Sequence, residues 1–321
     1  MGGQIGMKLW DEELESYREE ARNMLQFLPS IEEPVGELDP IARAQKLRKS
    51  FQDMIPPATS DGVELTTIPG PAGEIPVRIF RPNGAARAVY LHLHGGGWIL
   101  GDAAMGDIGN RAVADSLDVA VLSVDYRLAP EHPYPAGPDD CEAAAKWLLD
   151  NSSGEFGSEH LMIGGESAGG HLALSTALRV RDRLGAGDRL TGLNLVFGWY
   201  DVNGTPSQFG NGGHPDMLSP DGLRFMAECF TPGLSEEKRR DPDISPLFAD
   251  LSGLPPSLIS VGSLDHLRDD SLFLAPRLSA AGVDVELQVY PDSPHGYQAL
   301  PTKMAAASDL RMQAFFERVL S

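Results

Sequence analysis

Apolar residues recur along this chain in two rhythms: short alternating or continuous runs that mark strands, and positions three or four apart that mark helices. Residues 7–28 carry Leu9, Leu14, Tyr17, Leu25 and Leu28 at spacings that predict one acidic amphipathic helix. A Pro/Glu-rich break at 29–38 separates it from a second helix, for which Asp39 suits the N-cap and Pro40 the first helical position. That helix bears Ile41, Leu47, Phe51, Met54 and Ile55 and stops at Pro56-Pro57.

Strands then begin. Residues 63–68 and 75–81 alternate around a Pro-Gly turn at 69–73, which reads as a hairpin. Further strands are predicted at 88–93, 119–124, 161–164, 190–197, 257–261 and 283–290. Helical stretches at 107–117, 138–150, 169–183, 270–281 and 305–320 separate most of them. This alternation predicts an α/β fold: a mostly parallel eight-stranded sheet flanked by helices, with the hairpin as its antiparallel edge.

Residues 200–244 break the rhythm with a Gly/Asn/Pro-rich loop and a helix around 222–230, capped by Ser219 and opened by Pro220. Together with the amino-terminal helices, this insertion is expected to form a lid over the strand ends. The expected division is therefore a cap at 1–58, a core at 59–199, a cap insertion at 200–244 and the rest of the core at 245–321.

Composition narrows the function. A net charge of −20 argues against nucleic acid or an anionic membrane as partner. No apolar run approaches the roughly 20 residues needed to span a bilayer, and no basic segment precedes an apolar one. Only Cys141 and Cys229 occur, so no disulfide framework is expected, and a soluble cytoplasmic protein is. Nothing has the spacing of a metal site or a phosphate loop, so no cofactor is expected.

The chemistry concentrates at Gly165-Glu166-Ser167-Ala168-Gly169, a G-x-S-x-G pattern between a strand and a helix. Alone it is a weak signal. A serine hydroxyl needs an adjacent base, itself oriented by an acid, and in this context the partners follow in the order Ser, Asp/Glu, His. His171 lies too close to Ser167 to leave room for the acid, His214 precedes the candidate acid loop, and His266 abuts Asp265. His295, just past the last strand, is the expected base. Asp265, at the end of the preceding strand, is the expected acid; Asp269 and Asp270 are read as first-turn residues of the next helix. The N–H groups of Gly96, Gly97 and Ala168 are the expected oxyanion donors, with Gly95 serving the turn.

These residues carry a family resemblance. His94-Gly95-Gly96-Gly97-Trp98, the run from Asp125 to Ala136, and Gly165-Glu166-Ser167-Ala168-Gly169-Gly170 resemble the hormone-sensitive-lipase-like carboxylesterases of the α/β-hydrolase fold. Leu254-Pro255-Pro256, Asp265 to Asp269 and His295-Gly296-Tyr297 also fit, so the resemblance covers about residue 60 to the carboxyl end. It implies serine esterase activity on short to medium acyl esters, a helical cap, a small-molecule ester as partner, and a rigid brace at 125–136 whose prolines fix φ. Family members often form dimers, although no feature of the sequence specifies one.

Two positions depart from the family pattern. Glu166 stands where Asp or Thr is usual, and His266 replaces a frequent Pro, read as a substitution on an exposed loop. A lyase or a non-catalytic small-molecule receptor on the same fold are the alternatives; intact His295 and Asp265 favour hydrolysis. Trp98, Trp199, Tyr200, Met217, Phe225 and Phe230 could line an apolar pocket or form the core of the lid.

Overall fold

A computed structural model describes residues 9–28, 39–54, 60–210, 213–214 and 218–321. Its frame is one sheet of eight strands in the order β1-β2-β4-β3-β5-β6-β7-β8. β1 (Glu64–Gly70) and β2 (Gly73–Phe80) form the antiparallel hairpin, and β2 joins β4 antiparallel. β3 (Ala88–Leu93), β4 (Val119–Val124), β5 (Leu161–Glu166), β6 (Leu190–Val196), β7 (Ser257–Leu264) and β8 (Val285–Pro294) pair in parallel. β3 and β4 are buried at every position, as continuous apolar runs covered on both faces should be.

Eleven helices are described: α1 (Glu12–Ser16), α2 (Arg18–Leu25), α3 (Pro40–Met54), α4 (Asp107–Leu117), α5 (Ala136–Phe156), α6 (Ala168–Asp182), α7 (Pro206–Phe209), α8 (Pro220–Phe230), α9 (Glu236–Arg239), α10 (Arg268–Ala280) and α11 (Lys303–Val319). α5 and α6 cover one face of the sheet, and α4 and α11 the other. Cys141 of α5 is a small buried core residue, as its place in the apolar pattern suggested.

The single amino-terminal helix expected from periodicity is instead two. Tyr17 ends α1 and begins α2, and its N–H turns to Leu14 O in a tightened turn that interrupts the α-helical ladder. The buried members are Leu14 and Ala21, not Leu9, Leu25 or Leu28. Leu14 packs among Phe197, Val261 and Tyr290, while Arg18 and Arg22 reach Asp292 at the end of β8. The first expected residues of this segment, 7 and 8, and the Ile55-Pro56-Pro57 stop of α3 lie outside the described residues.

α3 and α8 lie against the loops that follow the strands. Asp39 Oδ1 accepts from Ala42 N at 3.0 Å, the capping contact its position suggested. Arg48 of α3 donates to Ile99 O and Ala129 O and forms a two-pronged pair with Glu131. Arg43 covers the ring of Phe225 at 4.0 Å, so α3 rests on α8. α8 starts where the sequence placed it, with Ser219 Oγ accepting from Gly222 N and Pro220 in the first turn. No helix among the described residues is long and apolar enough to cross a membrane.

Candidate active site

Four loops at the carboxyl ends of parallel strands build the site, where an open α/β sheet gathers its reacting groups. The first is the turn from β5 into α6. Ser167 sits between them at φ 57° and ψ −119°, a conformation that side-chain-bearing residues rarely adopt. The strain is held by neighbours: Ser167 N donates to Val196 O, and His171 N to Ser167 O. The turn must also pass close under β3, because a Cβ on Gly165 or Gly169 would fall on Leu93 O. The two glycines of the motif are therefore fixed by backbone packing rather than by flexibility.

His295 follows β8 and Asp265 follows β7. His295 Nε2 lies 2.9 Å from Ser167 Oγ, and Nδ1 lies 2.8 Å from Asp265 Oδ2. A carboxylate only accepts, so Nδ1–H donates to Asp265 and Nε2 is left to accept from Ser167 Oγ–H. Asp265 is fully buried, and its other oxygen accepts from Leu267 N at 2.7 Å. The edge of Phe197 closes on the His295 ring at 4.6 Å, fixing its plane. The three residues singled out from the sequence are thus brought into one hydrogen-bonded line.

The glycine loop follows β3. Gly96 and Gly97 have φ of 113° and 58°, so both need the freedom that glycine alone has. Gly96 O accepts from Ile99 and Leu100 N, while among the described residues no acceptor takes the N–H of Gly96 or Gly97. Ala168 opens α6, where the first N–H groups of a helix have no partner in the helix itself. Gly95 approaches Glu166 O, with room at 3.0 Å for a Cβ only if the nucleophile turn shifts.

Behind the loop, the run from Asp125 to Ala136 is a brace. Tyr126 Oη donates to His94 O at 2.8 Å, and its ring stacks on His94 at 4.2 Å. Ala129 N donates to Trp98 O, and Arg127 forks onto Asp140.

His171 is a cross-tie rather than a base. Its Nε2–H donates to Ile244 O at 2.8 Å, and its Nδ1 accepts from Trp98 Nε1 at 3.2 Å. Burial pushes the imidazoles of His171 and His94 down to about 4, so both are neutral in the fold. In the unfolded chain they take up protons near 6.5, so stability present above that pH is lost as the pH falls from 6.5 towards 4. Each contributes on the order of 3 kcal/mol to that loss. The melting temperature is expected to fall across this interval, and more shallowly in His171→Gln; a flat wild-type profile would contradict the assignment.

The exposed-loop reading of His266 needs correction, and the first-turn reading of Asp270 an addition. His266 is buried, not exposed: its Nδ1 lies 3.1 Å from Ser207 O, and Ser207 Oγ donates to its carbonyl. Asp269 and Asp270 do open α10, but Asp270 also reaches across to the 200–208 segment. It accepts from Tyr200 N, Asp201 N, Thr205 Oγ1 and Gln208 Nε2, within 2.7–2.9 Å. The acid that looked like a helix-dipole residue is a buried strut under the insertion; the inserted segment brings the donors, which sequence distance hid.

Glu166 has a partner that the sequence did not suggest. His92 Nε2 lies 3.1 Å from Glu166 Oε2, while His92 Nδ1 is 3.1 Å from Asn110 Nδ2 and 2.9 Å from Ser123 Oγ. The carboxylate thus ties the nucleophile turn to β3 and α4. Trp98, Trp199, Tyr200 and Phe230 are buried: Trp98 lies between Phe230 at 4.4 Å and Trp199 at 4.7 Å, and Trp199 also lines a pocket of about 300 Å³. Phe225 is half-buried under Arg43, and Met217 lies outside the described residues. The residue that does meet the glycine loop is Met226, whose sulfur occupies the space a Cβ on Gly97 would need.

The sequence matches the α/β hydrolase fold family over residues 90–299. It is 37% identical over 265 residues to the carboxylic ester hydrolase LipN of Mycobacterium tuberculosis, covering 81% of this chain and 70% of that one. It is 39% identical over 261 residues to the carboxylesterase NlhH of the same organism, covering 77% and 79%. Among solved structures, an esterase of Pyrobaculum calidifontis superposes with a TM-score of 0.79 at 30% identity, covering 92% of this chain and 97% of that one. A bacterial heroin esterase superposes with a TM-score of 0.82 at 26% identity, covering 96% and 99%. By sequence and by fold, the chain belongs to the α/β hydrolase family, within its hormone-sensitive-lipase-like carboxylesterases.

Proposed function

We propose that Ser167, His295 and Asp265 hydrolyse small carboxylic esters through an acyl-enzyme. The unbroken line from Asp265 Oδ2 through both His295 nitrogens to Ser167 Oγ carries this reading. Ser167 Oγ attacks the acyl carbon as its proton passes to His295 Nε2. Asp265 holds Nδ1–H and stabilises the imidazolium that forms. The N–H groups of Gly96, Gly97 and Ala168 receive the charge that develops on the carbonyl oxygen, each worth on the order of 3 kcal/mol in the transition state. The alcohol leaves with the proton held by His295, and water then repeats the sequence to release the acid.

Residues 1–58 and 200–244 form the cap in this proposal, over a core of 59–199 and 245–321. The Arg48 and Arg43 contacts of α3 and the Asp270 strut support that division. Two buried free cysteines fit a reducing compartment such as the cytoplasm.

Met226 over Gly97 narrows the space above the reacting carbon and favours short to medium acyl groups. With p-nitrophenyl esters, kcat/KM is expected to peak at or below roughly eight acyl carbons and fall at least tenfold by roughly sixteen. A value that keeps rising with chain length would overturn this part of the reading.

A further inference from the structure

His295 stands just past a kink in β8, and residues far away in the chain hold that kink. Asp292, three residues before His295, has a φ of 51°, in the left-handed region where Asp and Asn are the best-tolerated side-chain-bearing residues. Its N–H donates at 2.9 Å to the Oγ of Ser263, which lies two residues before Asp265. Ser293 packs as tightly, since a Cβ on Gly262 would fall on Ser293 O. The loops that carry the base and the acid therefore share one joint, Asp292-Ser293 against Gly262-Ser263.

The Asp292 carboxylate is taken by α2. Arg18 donates from Nε to Oδ2 at 2.7 Å and from Nη2 to Oδ1 at 3.4 Å, and Arg22 Nε lies 2.8 Å from Oδ2. The Asp292 side chain is only 14% exposed, so this pairing is screened less than one on the open surface. Arg18 is itself oriented: its Nη1 donates to Glu15 Oε1 at 2.9 Å, and its guanidinium lies 5.7 Å from the Trp10 ring. A second anchor fastens the same helices elsewhere. Arg311 of α11 donates to Asp11 Oδ2, at the start of α1, and to Gln288 Oε1, partners that stand outside the joint.

We infer that Asp292, clamped by Arg18 and Arg22, is a positioning residue for His295. The clamp fixes the joint, and the joint sets where His295 Nε2 meets Ser167 Oγ and where Nδ1 meets Asp265. Asp292 touches neither substrate nor reacting atoms. Misplacing a reacting group by about 1 Å costs roughly 100-fold in rate, so a small relaxation of the kink is enough to be seen. The inference rests on His295 being the base.

The test is steady-state hydrolysis of p-nitrophenyl acetate by folded variants of the full chain. Asp292→Asn keeps a residue suited to the left-handed turn and removes the charge; Arg18→Gln with Arg22→Gln removes the clamp from the other side. In each, kcat is expected to fall at least about fivefold, the loss for a shift well short of a full ångström. KM should stay within about twofold, because His295 serves both acyl transfer and acyl release, and both slow together. Combining the changes should cost no more than about twofold beyond either alone, since one joint is lost once. Arg311→Gln loosens the helices without touching the joint and should keep kcat within about twofold of the parent. If Asp292→Asn does not fold, the arginine pair decides. Parental kcat in the clamp variants beside an inactive His295→Ala overturns the inference alone, as does an equal loss in Arg311→Gln or a loss carried by KM. Parental activity in His295→Ala would overturn the base itself, and this inference with it.

Discussion

Ser167→Ala is expected to lower kcat on p-nitrophenyl acetate by roughly a millionfold, the loss typical when a serine nucleophile is removed. The variant should nonetheless fold and melt close to the parent. Alanine has the Cβ that the turn already accommodates, and the same φ of 57° is imposed on it by the Val196 and His171 contacts. What disappears is one hydroxyl and its 2.9 Å bond to His295 Nε2. A folded-state change within about 0.5 kcal/mol is expected. Asp265, His295 and the glycine loop remain in place, so weak residual turnover from the oxyanion donors alone is compatible with the account. Activity within tenfold of the parent is not; it would move the nucleophile elsewhere.

Gly169→Ala is expected to damage the fold rather than the chemistry. The new methyl would land on Leu93 O and His94 O, backbone atoms of β3 and the glycine loop that have no rotamer in which to yield. β3 is a central strand, buried throughout, so it cannot move away without breaking pairings with both β4 and β5. A loss of at least about 4 kcal/mol follows, in the range reserved for backbone clash and core disruption. The control is Gly154→Ala in α5, where nothing lies within 4 Å of the added Cβ. That change should be neutral or stabilise by up to about 1 kcal/mol, since alanine is the better helix former. Denaturant midpoints of the two variants make the comparison, and equal midpoints would show that the motif glycine is there for catalysis alone.

The contrast between those glycines shows what was legible in the sequence. Strands such as 119–124 and helices such as 107–117 appear where their apolar patterns lie, because burial on both faces or on one stripe leaves a local signature. The order of Ser167, Asp265 and His295 was legible because each follows a strand whose end is visible in the pattern. Contacts made by the insertion were not. Asp270 finds its donors 62 to 70 residues earlier in the chain, and the carbonyl that accepts from His171 comes from Ile244. His92, which the sequence analysis did not single out, anchors Glu166; a polar residue in so apolar a run was the available signal. The break at Tyr17 left no signal at all, since acidic and apolar residues continue through it in helical spacing.

The central claim is that one serine carries the acyl group. Its most direct measurement is the intact mass of the protein after brief reaction with a p-nitrophenyl alkylphosphonate, followed by peptide mapping. A single adduct is expected, with release of one p-nitrophenolate per active chain, located on Ser167 and absent from Ser167→Ala. An adduct on any other residue, or full ester turnover by protein that remains unlabelled, would contradict it.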